Sequence, residues 1–151
     1  MGNVLFICTG NICRSPMAEA IANKFLSGKL NGVLFISRGV SAMDGGAASR
    51  MAVDVMRKIY GLDITGHVSR LVTEEDTRTA ALIIAMTGAH RRRIAELYPA
   101  ACDKLYTLYE LTGDVSGRDI ADPYMSGYDV YAACAEEIFT CLNSIDFSCY
   151  I

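Results

Sequence analysis

A doubly wound α/β fold, a four-stranded parallel sheet with helices on both faces, is what this 151-residue sequence predicts. Three observations predict it. Four short apolar runs recur along the chain, and they are continuous rather than alternating, as in strands buried on both faces. Helical patterns separate the runs, and an alternation of strand and helix gives parallel pairing. Hydrophobic residues make up 52% of the chain, enough for a domain of this size to bury its core without metals or disulfides.

The elements follow in order. The first run is Val4-Leu5-Phe6-Ile7. Ser15-Pro16 then reads as the N-cap and first-turn proline of a helix marked by Met17, Ile21, Lys24 and Phe25, stopping near Gly28. The second run is Val33 to Ser37. Met51, Val55, Met56 and Ile59 mark a helix ended by Gly61, in the position where a left-handed residue closes helices. Thr73-Glu74-Glu75-Asp76 resembles a short capped turn before the third run, Ala80 to Met86. A helix from about Ala89 to Tyr98 stops at Pro99, and Lys104 to Leu108 is the fourth run. Val130, Cys134, Ile138, Cys141 and Ile145 recur on one face of a C-terminal helix. With no internal repeat, low-complexity tract or linker, residues 1–151 read as a single domain of the flavodoxin-like kind. Ligands in such sheets bind at the carboxyl ends of strands, where the strand order reverses.

Charge and cysteine usage narrow the partners. A net charge of −3 gives no reason to expect nucleic acid, and His90-Arg91-Arg92-Arg93 reads as a solvated helix face. The first apolar run has no positive flank and is too short to span a membrane. Met1-Gly2 does not make a myristoylation site, because Phe6 stands where Ser or Thr is needed. The expected compartment is a reducing cytoplasm, with the six cysteines as thiols. There is no Cys-x2-Cys pair and the two histidines are far apart, so structural zinc is not expected.

The chemistry concentrates in Cys8-Thr9-Gly10-Asn11-Ile12-Cys13-Arg14-Ser15, between the first strand and the first helix. A loop in that position turns backbone N–H groups inward, and the helix N-terminus adds partial positive charge, which makes an anion site of phosphate size. A cysteine there is expected as thiolate, because every local field favours the charged form. Arg14 suits two phosphate oxygens at once, and Asn11 tolerates the left-handed conformation a tight nest needs. Attack on a phosphoryl group also needs the leaving oxygen protonated. Asp119-Ile120-Ala121-Asp122-Pro123-Tyr124 offers an aspartate stiffened by the following proline, beside an aromatic that could wall a pocket.

These two motifs resemble those of the low-molecular-weight protein tyrosine phosphatases, and the resemblance covers nearly the whole chain. Cys8 to Ser15, followed by Pro16 and Met17-Ala18-Glu19, is similar to the family's opening signature, and Asp122-Pro123-Tyr124 to its general-acid loop. The resemblance implies hydrolysis of a phosphorylated protein through a phosphocysteine on Cys8, with Arg14 as clamp and Asp122 as general acid and then base. It implies a phosphate and substrate site of Thr9, Gly10, Asn11, Ile12, Cys13, Ser15, Met43 and Tyr124, with Asn11 braced by Ser15, Ser37 and His67. It also implies that no metal or cofactor takes part, and reversible disulfide formation between Cys8 and Cys13. Ile12 resembles the tyrosine-specific branch, since threonine is frequent at that position in the related protein-arginine phosphatases. The segment Leu108 to Gly117 looks like the arginine-phosphatase subgroup, which keeps that activity as the alternative. Met43 replaces an aromatic common in the family, and Met125 replaces a second tyrosine, so the pocket walls are softer. Thioredoxin-coupled arsenate reductases have a similar cysteine loop but need further cysteines after the third strand, and Met86 to Leu97 has none. Phosphocysteine carriers of sugar transport should lack both the loop arginine and the aspartate.

Overall fold

The computed structural model describes residues 2–151. Four strands, β1 (Asn3–Cys8), β2 (Phe35–Gly39), β3 (Ala80–Ala85) and β4 (Leu105–Thr107), form one parallel sheet in the order β2-β1-β3-β4. The chain leaves β1 for one side of the sheet and later returns to its other side. The carboxyl end of β1 is therefore the point where strand order reverses, and Cys8 is its last residue.

Side-chain alternation explains the continuous apolar runs. Val4, Phe6 and Cys8 of β1 join Leu82, Ile84 and Met86 in one core, while Leu5, Ile7 and Ile83 belong to the other. The first core is covered by α1 (Arg14–Phe25), α2 (Arg50–Tyr60) and α6 (Tyr128–Ser144), which contribute Met17, Ile21, Val55, Met56, Ala135 and Ile138. The second is covered by α4 (Gly88–Leu97), through Ile94, and by the turn after it, through Ala101. Each large apolar side chain buried in these layers contributes roughly 1.5–3 kcal/mol. Two short helices complete the fold: α3 (Glu74–Thr79), opened by a reciprocal capping box between Thr73 and Asp76, and α5 (Leu108–Leu111). Among the described residues no helix is long and apolar enough to cross a membrane.

Several local expectations are corrected. Ser15 does not cap α1: Cys13 occupies that position without a side-chain bond, and the Ser15 hydroxyl is turned into the loop. Strand β2 begins at Phe35 rather than Val33, and Leu108 starts α5 rather than ending β4. On α6 the buried stripe runs through Tyr131, not Val130, which is 49% exposed. Gly61 closes α2 as expected, at a φ of 67°.

Candidate active site

The loop after β1 is held open by its surroundings. The carbonyls of Cys8 and Thr9 accept bonds from the amides of Val40 and Ser41, at 2.9 and 3.0 Å. The carbonyl of Ile12 accepts from the amide of Ser49 at 2.8 Å, and that of Asn11 from His67 Nε2 at 2.8 Å. A trans peptide points its C=O and the following N–H in opposite directions. With these four carbonyls fixed outward, the N–H groups of Thr9, Gly10, Ile12 and Cys13 face the enclosed side, which is an anion nest. Gly39 permits the approach of β2: a Cβ there would sit 2.5 Å from the Thr9 carbonyl oxygen.

Asn11 is the internal brace. Its φ is 56°, in the left-handed region. Its Nδ2 donates to Ser15 Oγ and Ser37 Oγ, both at 2.9 Å, and its Oδ1 accepts from the Arg70 amide at 3.0 Å. Ser37 in turn donates to Glu19, whose carboxyl burial pushes upward in pKa. Asn11 is wholly buried and lies behind the loop rather than on the cavity wall, so its expected place in direct phosphate contact is corrected to support. Ser15 is equally buried and reaches the site through its Oγ, 2.9 Å from Cys8 Sγ.

Cys8, Thr9, Gly10, Ile12, Cys13, Arg14, Asp122 and Tyr124 line a cavity of about 190 Å3. Arg14 is 4% exposed and spans both motifs. Its guanidinium donates to the Ile120 carbonyl at 2.9 Å and to Thr9 Oγ1 at 3.5 Å, and lies 3.5 Å from Asp122 Oδ2. The acid loop is pinned by Asp119 Oδ1, which accepts from the Gly88 amide at 2.8 Å, and by the Ile120 amide on the Met86 carbonyl at 3.0 Å. Asp122 Oδ1 accepts from the Tyr124 amide at 3.1 Å, orienting the carboxylate beside Pro123. Cys13 bonds Tyr131 and Ser49, at 3.2 and 3.4 Å, and burial pushes its thiol upward in pKa. Met43 does not line the cavity. It is 85% exposed, and its carbonyl accepts a bond from the Ser69 hydroxyl at 2.6 Å. Cys134 and Cys141 are buried in the α6 face, where burial pushes the Cys134 thiol up to about 12.

These features have counterparts in known proteins. Residues 3–145 match the model of the low molecular weight phosphotyrosine protein phosphatases. The chain belongs to that family. It is 38% identical over 143 residues to a protein-arginine-phosphatase of Geobacillus stearothermophilus, covering 94% of this chain and 92% of that one. A low molecular weight protein tyrosine phosphatase from T. tengcongensis superposes with a TM-score of 0.89 at 41% identity, over 95% of this chain and 97% of that chain. The YwlE arginine phosphatase, in a variant with a phosphorylated active-site serine, superposes at 0.86 with 35% identity, over 94% and 91% of the two chains.

Within this phosphatase fold, one site residue escapes the sequence pattern. His90 sits among three exposed arginines yet is itself buried, because it shares a helix face with Ile94 four residues on. Its Nε2 is 2.7 Å from Thr9 Oγ1. Burial, and then the nearby Arg14 charge, hold its pKa down to about 4 from 6.5, against the opposite pull of Asp119 and Asp122. Above pH 6.5 the imidazole is neutral whether folded or unfolded. Between 6.5 and about 4 the unfolded chain takes a proton that the folded chain refuses, so stability falls as acid is added and levels below about 4. Urea unfolding should show wild type losing stability relative to His90→Gln over that window, by on the order of 1 kcal/mol per pH unit. Parallel curves for the two proteins would contradict this.

Proposed function

We propose that this chain, acting as one phosphatase domain over residues 1–151, hydrolyses phosphotyrosine in proteins through a phosphocysteine on Cys8. The observation that carries the proposal is the meeting of Cys8, Arg14 and Asp122 in one cavity of phosphoryl size beneath an inward set of amides. In the first step the Cys8 sulfur, as thiolate, forms an S–P bond while the P–O bond to the tyrosine breaks, and Asp122 gives its proton to the leaving oxygen. In the second, water attacks phosphorus, Asp122 takes the water proton, and the S–P bond breaks to free phosphate and the thiolate. Arg14 exchanges its contact with Asp122 for two equatorial oxygens, whose charge it holds during both transfers. The amide nest serves the third. A cytoplasmic setting, where the Cys8 sulfur stays reduced, suits this chemistry.

The cavity walls favour an aryl group. Ile12 and Tyr124 are among the lining residues, and an apolar side chain beside a flat ring suits packing against an aryl group. The second reading, phosphoarginine, is favoured by the relatives named as arginine phosphatases. Turnover of matched phosphotyrosine, phosphoarginine and phosphoserine peptides separates the two. Phosphotyrosine should be fastest and phosphoserine inert, because its short side chain leaves phosphorus out of reach of the sulfur. Faster phosphoarginine turnover would overturn the specificity while keeping the chemistry.

A further inference from the structure

Among the described residues, the buried side-chain nitrogens and oxygens are partnered with a single exception, His90 Nδ1. Neutral imidazole carries one proton, which sits on either Nδ1 or Nε2. On Nδ1 it would be a buried N–H with no acceptor, the costlier kind of orphan, whereas a bare Nδ1 lone pair is better tolerated. The proton therefore belongs on Nε2, which donates to Thr9 Oγ1 at 2.7 Å. Arg14 donates to the same oxygen, at 3.5 Å. Both lone pairs of Thr9 Oγ1 are then engaged, and its own proton must be given elsewhere. Thr9 lines the cavity that holds Cys8.

We infer that His90 is a positioning residue whose Nε2–H turns the Thr9 hydroxyl into a donor aimed at a phosphoryl oxygen in the cavity. The inference rests on the phosphatase reading above. Its recognition target is the phosphoryl group itself, so Thr9 adds a side-chain donor to the backbone amides and to Arg14. The depressed His90 pKa is consistent, since burial, and then the neighbouring Arg14 guanidinium, oppose a second proton.

The test is a set of variants assayed for kcat/KM on an aryl phosphate: Thr9→Val, Thr9→Ser, His90→Leu, His90→Gln and the Thr9→Val/His90→Leu double variant. A hydrogen bond to a charged group corresponds to about a ten- to hundredfold loss for Thr9→Val and for His90→Leu. The double variant should be no slower than Thr9→Val alone, because both changes remove one device. Thr9→Ser keeps the hydroxyl, and His90→Gln places an amide N–H near the Nε2 position, so each should recover rate over its apolar counterpart. Wild-type rates for Thr9→Val, or losses that multiply in the double variant, overturn the inference. Nitrogen-15 spectra of histidine-labelled wild type at neutral pH give a readout independent of activity and of variant folding. The expected His90 signature is protonation at Nε2, and protonation at Nδ1 refutes the assignment. Failure of the wild type to turn over any aryl phosphate would instead refute the phosphatase reading.

Discussion

Asp122→Ala should slow hydrolysis of phosphotyrosine by about a hundred- to ten-thousandfold, the range expected when a positioned acid is removed. A nitrophenyl phosphate should lose much less in its first step. The distinction lies in the leaving group: tyrosine leaves from an oxygen whose pKa is about 10 and needs a proton as the P–O bond breaks, whereas a nitrophenolate departs without one. The Asp122 carboxylate lines the same cavity as Cys8, lies 3.5 Å from Arg14 and accepts a bond from the Tyr124 amide. The side chain is about half exposed, so its removal leaves no buried void and the fold should be unaffected. Measuring both substrates by single turnover checks the claim. Equal slowing of the two would remove Asp122 from the role of acid.

Cys8→Ser should lower turnover by at least about ten-thousandfold while leaving a folded protein that still binds inorganic phosphate. A serine hydroxyl needs a base to take its proton, and the polar partner of the Cys8 sulfur is the Ser15 hydroxyl at 2.9 Å, which is no base at neutral pH. Phosphate binding survives because the carbonyl anchors from Val40, Ser41, Ser49 and His67 do not involve the sulfur. Titration with phosphate, alongside the rate, separates loss of the nucleophile from loss of the loop. A variant with substantial residual turnover would end the assignment of Cys8.

The parts of this site that could be read from the chain are those whose chemistry is local. The strand-loop-helix order around Cys8, the guanidinium at Arg14 and the Asp122-Pro123-Tyr124 turn each follow from neighbouring residues, and Cys8, Arg14, Asp122 and Tyr124 line one cavity. The continuous runs of β1 and β3 likewise foretell a sheet with a core on each face. What was not legible depends on distant partners. Ser15 has the composition of an N-cap, but Cys8 and Asn11 compete for its hydroxyl and win. Reading Val130 for Tyr131 is a slip of one residue, or about 100° of helix rotation, and only packing of Tyr131 on Cys13 and Ser49 decides between them. Met43 has the residue type of a pocket wall, yet its side chain is exposed and outside the cavity lining. His90 is hidden by the charges beside it, and its role appears only when the loop from 81 positions earlier folds against it.

The proposed reaction passes through a bond between phosphorus and the Cys8 sulfur. The direct measurement is acid quenching of wild-type protein during turnover of an aryl phosphate, followed by mass spectrometry of its peptides. The result predicted is a phosphoryl group on the peptide carrying Cys8, linked through sulfur and absent once substrate is exhausted. Steady turnover with that peptide never modified, or with the phosphoryl group on another residue, would contradict it.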